Sequence, residues 1–223
     1  EIPAEWISSF PSGADLIRKA IELRPARRLA VDARILRRRE CEYEIFRSVE
    51  EAVELPRITK GFASIDEFVA RAQTVLQRRK TRAGRSLELH TREILLEEGF
   101  EEDRAFSHGP ESEPGKRPDF LFPSAEAYRN PTFPQSSLRM LAAKTTCKDR
   151  WRQILNEADR VATKHLLTLQ EGVSVNQFRE MTEAGVKLVV PRRLHDAYPT
   201  AVKPGLMTLR AFLEEVRGLG LTG

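Results

Sequence analysis

The stretch Arg117-Pro118-Asp119-Phe120-Leu121-Phe122-Pro123, followed by Leu141-Ala142-Ala143-Lys144-Thr145-Thr146-Cys147-Lys148-Asp149-Arg150-Trp151, decides how this chain is read. Asp119 to Phe122 is a short apolar run opened by a Pro-Asp pair, and it predicts a buried strand. Ser137 to Thr145 predicts a second strand, with Lys144 near its end, 25 positions after Asp119. From Arg150 to about Gln170, residues Ile154, Leu155, Ala158, Val161, Ala162 and Leu166 recur at helical spacing, so a helix carrying Glu157 is expected. Val186 to Val190 reads as a strand stopped by Pro191, and Leu206 to Val216 as a closing helix. Upstream, helices are expected over Ala14 to Leu23, from Ala26 to about Leu55 with Pro56 ending it, and from a Ser64-Ile65-Asp66-Glu67 capping box to the basic run at Arg78. Ser86 to Glu98 is expected as a further helix, stopped by Gly99. Helices followed by strand, strand, helix, strand, helix indicate the α/β class, a sheet wrapped by helices. The 223 residues suit a single domain, with a mainly helical part over 1–80 and a core over 81–223.

Composition narrows the function classes. The net charge is only +4, but 31% of residues are charged and the basic ones cluster, as in Arg37-Arg38-Arg39 and Arg78-Arg79-Lys80. Such clusters suit a polyanion, although any one of them taken alone reads first as a solvated helix face. Cys41 and Cys147 make neither a disulfide framework nor a zinc site, which points to a reducing, cytoplasmic setting. No apolar run approaches the ~20 residues that span a bilayer. The four histidines, His90, His108, His165 and His195, lack metal-ligand spacing. A start at Glu1 rather than Met suggests a fragment or a processed chain.

Two carboxylates and a lysine brought together by these elements can hold a divalent ion against a phosphodiester and activate water. Asp119 alone is insufficient for a hard cation, which wants several oxygens. The position two before Lys144 is Ala142, so the second carboxylate must come from elsewhere: Glu157, or Glu88 on the helix before the strands. Lys144 would stand near the attacked phosphate and offset charge developing there. Against this, an Asp after Pro is often a turn residue, and a lone Glu on an amphipathic helix usually faces solvent.

The residues Arg117 to Pro123 and Ala143 to Ala158 resemble the EcoRII-type restriction endonucleases, most densely between Arg117 and Ala158. The resemblance implies a restriction-endonuclease-like PD-(D/E)xK core, with a mixed sheet flanked by helices and the second carboxylate moved onto the helix at Glu157. It further implies Mg2+-dependent cleavage of double-stranded DNA at CCWGG-like sites leaving 5′-phosphates, a homodimer, and an N-terminal effector domain preceding this part. In that family the triplet matching Lys148-Asp149-Arg150 faces the major groove. Arg150 and Lys148 can donate to guanines and Asp149 can accept from cytosine N4 amines. The same triplet would otherwise be the charged first turn of a helix. Extrusion of the central bases would need stacking walls, for which Tyr43, Phe46, Arg47 and Arg79 are candidates, although their helices equally need core residues. Tyr128, expected in the loop between the two strands, is a candidate phosphate contact or a lid over the core. Two other readings stay open: a structure-directed nuclease of junction-resolvase type, and a DNA-binding module with an inactive nuclease fold.

Overall fold

The computed structural model describes residues 2–148 and 150–220. The chain forms two compact units, one comprising residues up to Leu29 with Arg34–His90, the other Ala30–Ala33 with the chain from Thr91 onward. The helical part therefore extends to His90.

The first unit draws on helices α1 (Ala4–Ser8), α2 (Gly13–Leu23), α3 (Val31–Lys60) and α4 (Ile65–Glu97). A capping box opens α2, with Ser12 Oγ accepting from the Asp15 amide and the Asp15 carboxylate from that of Ser12. Pro56 lies inside α3 rather than ending it. Its missing N–H removes a single helical bond, and the preceding turns are held by Glu50 and Glu54, which bind arginines of α4. The two helices expected over 64–80 and 86–98 are one, continuous through Gly84.

The second unit is built on a five-stranded sheet: β1 (Ser107–His108), β2 (Phe120–Phe122), β3 (Arg139–Ala143), β4 (Lys164–Leu167) and β5 (Val186–Val189), in that spatial order. The pairs β1·β2 and β2·β3 are antiparallel, while β3·β4 and β4·β5 are parallel, so the sheet is mixed. Helices α5 (Ala125–Arg129), α6 (Val175–Glu183) and α7 (Leu209–Gly218) complete the unit. The expected strand over 137–145 is real but shorter, and Lys144 lies just past its end.

The helix expected over 150–170 does not form. Its span holds a short 3-10 helix, Gln153–Asn156, then a turn, then β4. The apolar spacing that suggested a helix arises because Ile154, Ala158, Val161 and Leu166 reach one core from three different local structures. β4 was hidden because its polar residues are buried: Lys164 faces one side, and His165 packs on the ring of Phe212, 4.9 Å away, on the other.

Alternation along the strands sorts the sheet into two faces. Leu121, Met140, Ala142, Leu166 and Leu188 join a cluster with Trp151, Ile154, Met181 and Tyr198. On the other face, Phe120 and Phe122 meet Phe106, and Phe122 meets Phe100 and Phe212. By the same parity Asp119, Lys144 and Lys164 belong to the Trp151 face. They stand two positions from Leu121, Ala142 and Leu166 respectively.

Candidate active site

Asp119 immediately precedes β2 and Lys144 immediately follows β3. Because the two strands are antiparallel neighbours, these ends coincide. Asp119 Oδ2 accepts from the Ala143 amide at 2.7 Å and from Lys144 Nζ at 2.8 Å. The Asp119 carbonyl accepts from Gly109 N at 2.8 Å, and Lys144 N donates to Leu167 O at 2.9 Å, so both backbones are locked to the sheet.

Glu157 closes the 3-10 helix, with an extended backbone at φ −94°, and its amide donates to Ile154 O. It is therefore a turn residue, not a helix residue as expected. Its carboxyl is pushed up to about 7: burial disfavours the anion, Lys144 and Lys164 favour it, and Asp119 repels it. Its Oε2 is buried with no hydrogen-bond partner. Asp119, Lys144 and Glu157 thus share one electrostatic environment, reached from three separate segments.

Lys164 and Glu113 were missed by sequence reading. Lys164 is buried in β4 and donates to Ala158 O at 2.6 Å. Glu113 Oε1 accepts from the Asp159 amide at 3.1 Å and from the Tyr128 hydroxyl, while Lys116 bridges to the Asp159 carboxylate at 2.6 Å. A lysine inside an expected helix and a glutamate inside an expected loop carried no signal of this arrangement.

Lys148 and Arg150 are exposed in the turn after β3; the Lys148 carbonyl accepts from Gln177 Nε2 at 2.7 Å, and the Arg150 amide donates to Cys147 O. Asp149 lies outside the described residues. Tyr128 sits in α5, not in a loop; it is 3% exposed and its hydroxyl also accepts from the Arg160 amide, so it is turned inward rather than toward a phosphate. Glu88 lies half-buried on α4 in the first unit.

Within that unit Phe46 is 1% exposed and packs edge-on against Phe10, leaving no ring face for a base. Arg79 is held in a forked pair by Glu50, as Arg71 and Arg78 are held by Glu54 and Arg82 by Glu42. Much of the basic run is thus one side of an ion-pair ladder between α3 and α4. Tyr43 remains exposed, with the Arg82 guanidinium 4.9 Å from its ring centre, and Arg47 is exposed as well.

The family model described as EcoRII C terminal matches residues 46–213. The type II restriction enzyme EcoRII of Escherichia coli is 54% identical over 218 residues, covering 98% of this chain and 53% of the relative, so the chain spans about half the length of that protein. Among solved structures, a complex of the restriction endonuclease PspGI with substrate DNA has a TM-score of 0.75 at 16% identity, covering 94% of this chain and 93% of that one. Metal-depleted Ecl18kI in complex with uncleaved, modified DNA has a TM-score of 0.78 at 18% identity, covering 96% and 80%. At these identities the likeness is one of fold, and the fold is that of the restriction endonucleases.

Proposed function

Because this chain belongs to the family of EcoRII C-terminal domains, we propose that it hydrolyses phosphodiesters of double-stranded DNA at CCWGG-like sites, using Mg2+ and leaving 5′-phosphates. The observation that carries the proposal is the lysine ammonium on the Asp119 carboxylate with the unpartnered Glu157 oxygen in the same field.

The residues fit a divalent cation. Asp119 repels the Glu157 carboxylate, whose buried Oε2 has no hydrogen-bond partner, and an ion held between the two would offset that repulsion and give the orphan oxygen a ligand role. No group of three or more His, Cys, Asp or Glu side chains suited to a metal occurs among the described residues. Asp119 and Glu157 would therefore hold the ion as a pair of carboxylates, which suits Mg2+, whose other ligands are commonly water and phosphate oxygens. An ion held there would polarise a phosphoryl oxygen and acidify water. Lys144 holds its charge beside the reacting phosphate, and its bond to Asp119 fixes where that charge sits. Pairing with β4 through the Lys144 amide keeps the ammonium from wandering with a loop.

Specificity is assigned to the turn after β3. Arg150 and Lys148 donate to guanine edges and Asp149 accepts from cytosine, within a few residues of Lys144. A homodimer would read both halves of a two-fold site. Tyr43, with Arg82 on its ring and Arg47 nearby in sequence, offers the exposed aromatic shelf that an extruded base requires. Plasmids with and without CCWGG sites, incubated with Mg2+ or with EDTA, test the proposal. Cutting confined to the CCWGG plasmid in Mg2+ supports it. Cutting of branched junctions alone indicates a structure-directed nuclease, and binding without cutting indicates an inactive module.

A further inference from the structure

Glu157 caps the 3-10 helix as the first residue beyond it, so no helix holds the turn that carries it. The next residue, Ala158, has φ +51°, a left-handed conformation that a residue with a Cβ adopts only when its surroundings enforce it. Three contacts enforce it. Lys164 Nζ donates to the Ala158 carbonyl at 2.6 Å, the Asp159 amide donates to Glu113 Oε1 at 3.1 Å, and Lys116 pairs with the Asp159 carboxylate at 2.6 Å.

Glu113 and Lys116 lie on the loop that leads into Asp119. That loop is itself folded back, with Lys116 N donating to Glu113 O at 2.9 Å and Ser112 N to Lys116 O at 3.0 Å. The contacts therefore join the segment of one carboxylate to the segment of the other. Lys164 is 6% exposed, and a buried lysine is a poor choice for stability alone, because an apolar side chain of similar size would fill β4 without desolvating a charge. Burial lowers its pKa, and the carboxylates of Asp159, Glu113 and Glu157 work against that shift.

We propose that Lys164 and Glu113 are positioning residues: they clamp the turn carrying Glu157 to the loop leading into Asp119, and so set the spacing of the two carboxylates that receive the cation. The inference rests on the metal-dependent reading above. Neither side chain need touch DNA or the ion; each acts through the backbone of residues 158 and 159.

The test uses Lys164→Met, Lys164→Arg and Glu113→Ala in the full chain, with three readouts: amide hydrogen exchange, Mg2+ titration by calorimetry, and cleavage of a CCWGG duplex across Mg2+ concentrations. The clamp predicts faster exchange at the Asp159 amide in Lys164→Met and Glu113→Ala, with Leu166 and Leu167 of β4 still protected. It predicts Mg2+ affinity weakened roughly 10–100-fold, as for other residues that orient metal ligands. Cleavage should be lost at low Mg2+ and regained at saturating Mg2+, with KM for the duplex unchanged. Lys164→Arg, which keeps a cationic donor, should restore much of the affinity. Wild-type Mg2+ affinity in folded Lys164→Met would overturn the proposal. So would loss of protection spread equally over β4, which would make Lys164 a filler of the strand. A wild-type chain that neither binds Mg2+ nor cuts would instead remove the functional reading, and the exchange at Asp159 alone would then decide the clamp.

Discussion

At the scale of single residues, the proposed function gives Glu157 to the chemistry and Arg150 to the reading, and each is tested separately. Glu157→Gln keeps the size of the side chain but removes the charge that a cation needs. Cleavage in Mg2+ should be lost while binding of a CCWGG duplex persists, measured by gel shift in EDTA beside a cleavage time course. Normal cutting by that variant would move the second carboxylate elsewhere, Glu88 being the other candidate. Lys144→Ala should slow single-turnover cleavage by ~10²–10³-fold, the cost of removing one donor aimed at developing charge; an undiminished rate would exclude Lys144 from the reaction. Arg150→Ala should weaken specific binding by ~1–3 kcal/mol, concentrated at one base pair, and change binding to scrambled duplex much less. Equal losses on both duplexes, titrated at one salt concentration, would make Arg150 a phosphate anchor.

At the scale of elements, Asp32 shows how short pieces are joined into a rigid support. Its carboxylate, in the first turn of α3, accepts from the amides of Leu209 and Arg210 at the start of α7, at 2.9 and 3.2 Å, and from Arg192 N at 3.2 Å. It supplements Thr208, whose hydroxyl caps the same helix through the Ala211 amide. Asp32→Ala strands one buried and two partly buried amide donors, and a loss on the order of 2–3 kcal/mol is expected in urea unfolding; a loss below ~0.5 kcal/mol would show that water or Thr208 replaces it. Elements of this kind were unevenly legible in the sequence. β2, β3 and β5 were legible because each is a short apolar run between breakers, and their pairing places Asp119 beside Lys144. β4 was not, because Lys164 and His165 interrupt its apolar run, and what lets them be buried, the Ala158 carbonyl for Lys164 and the Phe212 ring beside His165, is distant in sequence or local only after folding. The short α6, which Ser174 caps through the Gln177 amide, has no counterpart among the elements expected from the sequence. Of the candidate site, residue types and their separation along the chain were readable. The turn at Ala158, the buried Lys164 and the Glu113 contact were not, because each depends on a neighbour distant in sequence.

At the scale of the whole molecule, buried ionisable groups set a pH dependence. His90 is held down to about 3 by burial and by the guanidinium groups of Arg39, Arg38 and Arg82, and His165 to about 4 by burial, with Glu215 opposing. Both folded values lie below the unfolded one, ~6.5. The unfolded chain thus binds two more protons between pH 6.5 and 4, and stability falls as the pH drops through that window. Glu157, raised to about 7, works in the opposite sense there, since its folded form keeps a proton that the unfolded chain releases. The two effects nearly cancel at pH 7 and leave about one proton near pH 5, so the loss on acidification steepens to ~1.4 kcal/mol per pH unit there. Urea midpoints at pH 7, 6 and 5 in metal-free buffer check this, and no change across that range would contradict it. No helix among the described residues is long and apolar enough to cross a membrane. The account as a whole turns on whether Asp119 and its partners form a cation-dependent cutting site. Single-turnover cleavage of an end-labelled CCWGG duplex in Mg2+, comparing the wild-type chain with Asp119→Ala, measures that directly. The account predicts cutting within the site to give 5′-phosphate ends by the wild-type chain, and no cutting by a variant that still binds the duplex. Equal cutting by both chains, or none by the wild-type chain, would contradict it.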